Sequence, residues 1–122
     1  MKQFKTALVM SAMMASLTMH CGEKNKNNES PSVADSGKAV YDVNCMPCHG
    51  ATGIGDGAAA ATLNPKPRNF KTEKFKNGED LESVKKTIST GIPGTAMTQW
   101  SHLKPEDIDA VAKYVLKLKS EK

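Results

Sequence analysis

Hydrophobic residues are spaced in several distinct ways along the 122-residue chain. The first group is an apolar run without a charge, Ala7 to Met19, preceded by Lys2 and Lys5. A membrane-spanning helix needs about 20 apolar residues, so this run is too short to be a comfortable span. Basic residues followed by a short apolar run are the layout of an export signal, expected over residues 1–20. Apolar residues then almost vanish. Residues 21–35, "CGEKNKNNESPSVAD", cannot bury enough surface to offset their ordering entropy and read as a polar tether. From Ser36 the spacing becomes helical. Ser36 is the expected N-cap, with Val40, Tyr41 and Asn44 following. In "EDLESVKKTIST", Leu81, Val84 and Ile88 share one face and Gly91 supplies a stop.

"KPEDIDAVAKYVLKLK" is the clearest helix, with Ile108, Val111, Ala112, Val115 and Leu118 as its apolar stripe. Pro105 suits the first position, and Glu106, Asp107 and Asp109 suit the positive end of the dipole. Lys104 stands where a capping Ser or Thr is expected. "GIGDG" and "NPKPRNF" interrupt regular structure. No segment reads as a strand. The pattern predicts an all-α domain over residues 36–122, with three or more helices and long loops.

Composition adds a difficulty. Only five aromatic residues follow the leader (Tyr41, Phe70, Phe75, Trp100 and Tyr114), and a domain this small is marginal on side chains alone. Something other than side chains is expected to fill the core. Charge excludes one class of partner. Of the 17 basic side chains, Lys2 and Lys5 lie in the leader, which leaves 15 against 13 acidic groups. The remainder is near neutral, and no basic cluster interleaved with aromatics points to nucleic acid.

"CMPCH" names the missing filler. Cys45 and Cys48 are three apart, so on a helical turn both thiols face one side. Thiols so placed can add across the two vinyl groups of one haem, and His49 can then bind the iron. Other chemistries use the same thiols. A thioredoxin-like pair needs a βαβ setting. A zinc site needs four ligands, with only Cys45, Cys48, His49 and the remote His102 on offer. A disulfide would close a very short loop and constrain little.

A haem iron has a further position to fill. Five of the seven methionines precede Cys21, leaving Met46 and Met97. Met46 lies inside the attachment turn, so Met97, on the loop "GIPGTAMTQW", is the candidate sulfur. His102 is the rival ligand, and an ordinary gap-filling core role for Met97 is the alternative.

With "CMPCHG", "GDGAAAATLNPKPRNF", "GIPGTAMTQW" and "LKPEDIDAVAKYVLKLK" in this order, the chain resembles the class I monohaem cytochromes c over Ser36 to Lys119. The resemblance implies one covalent haem c, with His49 and Met97 as its axial ligands. It also implies that a proline carbonyl, from Pro65 or Pro67, accepts a hydrogen bond from the His49 ring. Arg68 and Trp100 would be partners of the haem propionates. Gly37 and Tyr41 would cross the last helix at Val111 and Tyr114.

The implied function is single-electron transfer between respiratory partners outside the cytoplasm, by a monomer that is not an enzyme. The alternatives are a sensor or peroxidase-like haem protein, an electron-transfer subunit of a larger oxidoreductase, and a non-haem binding module. Partners would be redox proteins: an oxidase, a reductase or a dehydrogenase.

Cys21 is left over. It sits between the apolar run and the tether, where bacterial lipoproteins carry their lipidated first residue. Thr18 and His20 stand where such signals usually have leucine and a small residue, and a conventional signal cut nearby is the alternative. The expectation is a lipid anchor at Cys21 that holds the domain at a membrane facing the periplasm.

Overall fold

The computed structural model describes residues 32–121; the stretch expected to be an export signal, most of the expected tether and Cys21 lie outside the described residues. Four α-helices follow in order: α1 (Val33–Asn44), α2 (Met46–His49), α3 (Leu81–Thr90) and α4 (Pro105–Ser120), with a 3₁₀ turn at Ala60–Thr62. No strand occurs among the described residues, so the expected all-α architecture is the observed one. No helix among them is long and apolar enough to cross a membrane.

α1 begins earlier than the sequence pattern suggested. Ser32, not Ser36, is the N-cap, and its hydroxyl accepts a hydrogen bond from the Asp35 amide. The same hydroxyl donates to the Asp35 carboxylate at 2.7 Å, so it meets both the amide and the side chain of Asp35. Ser36 is one turn inside, where its hydroxyl bonds back to the Val33 carbonyl. The helix thus takes in Val33, Ala34 and Asp35, read from sequence as tether.

α1 and α4 cross at Gly37. A Cβ there would lie 2.3 Å from the Ala110 carbonyl oxygen, so only glycine permits this approach. Next to the crossing, Tyr41 is fully buried and its ring meets Tyr114 at 5.2 Å. Val111, equally buried, belongs to the same core. The expected stripe of α4 is buried throughout: Ile108, Val111, Ala112, Val115 and Leu118. α3 packs on α4 through buried Val84 and Ile88, with Leu81 half-buried. Lys104 does occupy the N-cap of α4, and no side chain caps it. Pro105 removes one amide that would lack a partner there, and Glu106 and Asp107 meet the positive end of the dipole.

Candidate functional site

The three helices α1, α3 and α4 do not close on one another completely. They and the loops between them leave a cavity of about 510 Å³, open on one side, within the size range of small-molecule and cofactor sites (about 300–1,000 Å³). Apolar side chains dominate its walls, including Phe70, Val84, Ile88 and Val115.

α2 supplies the reactive part of the wall. Cys45 is the junction between α1 and α2, and the Cys48 and His49 amides both return to its carbonyl. One helical turn therefore presents Cys45, Cys48 and His49 to the cavity. The segment after Gly50 wraps back over this turn: Gly55, Gly57 and Ala59 amides donate to the carbonyls of His49, Cys48 and Pro47. The Tyr41 hydroxyl, buried beneath, donates to the Gly50 carbonyl at 2.7 Å.

Both thiols are unjoined. Burial, helped by the neighbouring Cys48, pushes the Cys45 thiol up to about 12. Redox-active pairs do the reverse and lower a thiol into the physiological range. With no strand beside the pair, the thioredoxin-like reading fails. Zinc fails as well, since no group of three or more His, Cys, Asp or Glu side chains able to hold a metal occurs among the described residues. Thioether attachment needs two thiols on one face of the cavity, which this turn provides.

Burial lowers the pKa of His49, opposed by a contact with the Arg68 carbonyl. A neutral imidazole is the metal-ligating form. Its Nδ1 lies 3.4 Å from the Arg68 carbonyl oxygen, the group positioned to accept the ring N–H. Nε2 then keeps the lone pair. Pro65 and Pro67 both line the cavity, while the carbonyl at Nδ1 in this structure belongs to the residue after Pro67. The Pro67 carbonyl instead faces Gly55, close enough that a Cβ there would sit 2.4 Å away. The flat face of His49 is stacked on Phe70, with centroids 4.6 Å apart and planes 27° from parallel. Sequence reasoning missed that contact. Its signal was only a single aromatic at the end of "NPKPRNF".

Met97 reaches the same cavity from the loop after α3. This loop is bonded to itself. The Ile92 amide donates to the Met97 carbonyl at 2.9 Å, and the Thr95 hydroxyl donates to the Ile92 carbonyl while accepting from the Met97 amide. Gly91, at φ 70°, starts the turn, and a Cβ on it would lie 2.6 Å from the Met97 carbonyl oxygen. The Trp100 amide ties the far end to Ile88 of α3. A thioether on a tight loop is thus held by a frame of backbone hydrogen bonds.

Arg68 and Trp100 line the cavity too. The Arg68 guanidinium already donates through one nitrogen to the Lys74 carbonyl (2.7 Å) and the Glu73 carboxylate (3.2 Å). His102 is exposed, rests against Trp100, and is not among the cavity-lining residues. The residues present therefore fit a covalently held haem: an apolar cavity of suitable size, two thiols and an imidazole on one turn, and one thioether in the same wall.

Comparison with known proteins points the same way. The CcoP subunit of the cbb3-type cytochrome c oxidase of Azospirillum brasilense is 34% identical over 92 residues, covering 75% of this chain and 30% of that protein. Cytochrome c oxidase subunit 2 of Bacillus sp. (strain PS3) is 28% identical over 110 residues, 81% of this chain and 31% of that one. The chain thus spans less than a third of the curated relatives it matches. Among solved structures, the reducing HAO-like protein complex of Kuenenia stuttgartiensis matches with a TM-score of 0.64 and 38% identity, over 75% of this chain and 44% of that one. Cytochrome c6 of the diatom Phaeodactylum tricornutum shares the fold at a TM-score of 0.54 and 22% identity, over 69% of this chain and 91% of that one. The sequence profile of the cytochrome c family matches residues 34–119, nearly everything from α1 to the end of α4, and the chain belongs to that family of electron-transfer modules with covalently bound haem c.

Proposed function

We propose that the chain is a one-electron carrier, not an enzyme, whose single haem is attached through Cys45 and Cys48 and ligated by His49 and Met97. The observation that carries this reading is that two separately built pieces of chain, the CMPCH turn and the hydrogen-bonded Met97 loop, bring an imidazole and a thioether to one cavity. The haem supplies the one-electron chemistry; the protein supplies burial and ligands. The Arg68 carbonyl orients the His49 ring and strengthens it as a donor. Neutral sulfur from Met97 favours ferrous iron and raises the potential. An iron held by both His49 and Met97 would have no position open to small molecules, which disfavours sensor and peroxidase-like roles. Arg68 and Trp100 stand at the cavity wall as donors for the haem propionates.

Met97→Ala tests the ligation. Loss of the weak near-red sulfur–iron band, a fall in potential and new carbon monoxide binding by the ferrous protein are the expected results. An unchanged spectrum and potential would remove Met97 from the site.

Cys21, the first residue of the tether in this reading, is proposed as a lipid anchor that keeps a monomeric carrier at the periplasmic face of a membrane. With α1 beginning at Val33, about ten residues separate Cys21 from the cap at Ser32; a coil of that length would reach roughly 17 Å, at about 5–6 Å × √n, enough for the domain to turn between redox partners. Cys21→Ser should move the haem protein from the detergent-released to the soluble fraction, or leave uncut precursor. A wild-type protein already soluble would rule out the anchor. The similarity to oxidase subunits favours a second reading, a domain that passes electrons within a larger oxidoreductase complex. Co-purification with a stable neighbour after mild detergent extraction separates it from a free carrier.

A further inference from the structure

A polar and an aromatic contact of the His49 ring come from one irregular segment, residues 68–79: the Arg68 carbonyl at Nδ1 and the Phe70 ring on its face. That segment contains no helix or strand. Something must hold it against the imidazole, and the packing shows what does. Phe70 meets Phe75 edge to face at 5.4 Å, and the Lys119 ammonium lies over the Phe75 ring at 4.7 Å. The same ammonium donates to the carbonyls of Phe70 and Glu73, both at 3.2 Å, and pairs with the Glu79 carboxylate at 3.0 Å. One side chain in the last turn of α4 thus grips four residues of the segment. It is only 22% exposed, unlike Lys113 and Lys117 on the same helix, at 49% and 56%. Charge-assisted bonds to carbonyls and a cation on an aromatic face are among the stronger contacts a lysine makes.

We propose that Lys119 is a positioning residue for the axial histidine, holding residues 68–79 so that the Arg68 carbonyl and the Phe70 ring stay against His49. The inference rests on His49 being an iron ligand. It makes the electronic character of the ligand depend on a lysine at the end of α4, whose ammonium contacts Phe70, Glu73, Phe75 and Glu79 of that segment. A firm hydrogen bond to the carbonyl makes the imidazole a better donor to ferric iron; loosening it weakens that donation and raises the potential. Loss of a positive charge acts in the opposite sense, because it favours the ferric state. The two effects can therefore be separated by sign.

The test uses the holoprotein with Lys119→Met, Lys119→Arg, and Lys113→Met as a charge-matched control on the same helix. The His49 Nδ1 proton is followed by its paramagnetically shifted resonance, and the potential is measured in parallel. Lys119→Met should speed exchange of that proton by about tenfold, the change expected when one charge-assisted hydrogen bond is lost. Its potential should lie above that of Lys113→Met, and Lys119→Arg should restore slow exchange. Glu79→Gln, on the exposed side of the same contact, should act in the same direction with smaller effect, and serves if Lys119→Met folds poorly. Unchanged exchange, or equal potentials for the two methionine variants, would overturn the positioning role alone. Absence of any shifted Nδ1 resonance in the wild type would overturn it together with the ligation on which it rests.

Discussion

At the scale of single residues, the site depends on what each position lacks as much as on what it carries. Gly37 has no Cβ, which lets the Ala110 carbonyl sit where that carbon would be. Alanine would favour the helix by about 1 kcal/mol, yet overlap with a backbone atom costs roughly 1–3 kcal/mol, so packing overrides propensity. Gly91 does the same for the Met97 loop. Side-chain chemistry was the readable part of the sequence. Cys45, Cys48, His49 and Met97 stand out because few residue types can attach or ligate a haem. The acceptor for His49 was unreadable for the converse reason. Every residue has a carbonyl, and only the path of the chain decides that Arg68, rather than Pro65 or Pro67, presents one to Nδ1.

At the scale of elements, caps and stripes decided how far sequence reasoning reached. α4 was fully legible because Pro105, its acidic first turn and its buried stripe agree with one another. The start of α1 was not, since Ser32 and Ser36 are both acceptable caps and only Ser32 has an acidic partner three residues on. The segment 68–79 was opaque, because irregular chain leaves no period to count. α3 allows a direct test of capping. The Asp80 carboxylate accepts from the Ser83 hydroxyl at 2.6 Å and from the Ser83 amide at 2.9 Å, and these bonds hold its pKa below the ordinary 3.8. A carboxyl lowered by folding stabilises fully above its unfolded value, and that stabilisation is lost as pH falls through the folded one. Asp80→Ala should therefore lower Tm clearly at neutral pH, by less at pH about 3 and least below it. A Tm gap that is constant with pH, or widens in acid, would show that the charge is not part of the cap.

At the scale of the whole molecule, a haem seated in the cavity would complete one core with the helices. α1 and α4 pack against each other directly at Gly37, Tyr41 and Tyr114, but α3, Phe70 and the Met97 loop meet them around the cavity. An apolar void destabilises by about 24 cal/mol per Å³, so emptying some 510 Å³ would cost on the order of 12 kcal/mol if nothing collapsed or let water in. That is an upper figure, as the cavity is open on one side, but it matches the whole stability of a domain this size, about 5–15 kcal/mol. A chain unable to retain haem should accordingly lose the packing of α3 and the loops, and keep at most a partly helical α1–α4 pair. The double variant Cys45→Ala, Cys48→Ala produces this state without altering any other wall residue. Far-ultraviolet circular dichroism should show much reduced helix content, and calorimetry should show no cooperative transition. Removing the thiols while keeping His49 and Met97 leaves the ligands in place, so partial recovery of helix on adding free haem is also expected. A cooperatively melting, fully helical apo-protein would mean that side chains alone close the core, and that the cavity is a preformed receptacle rather than a space the haem must fill.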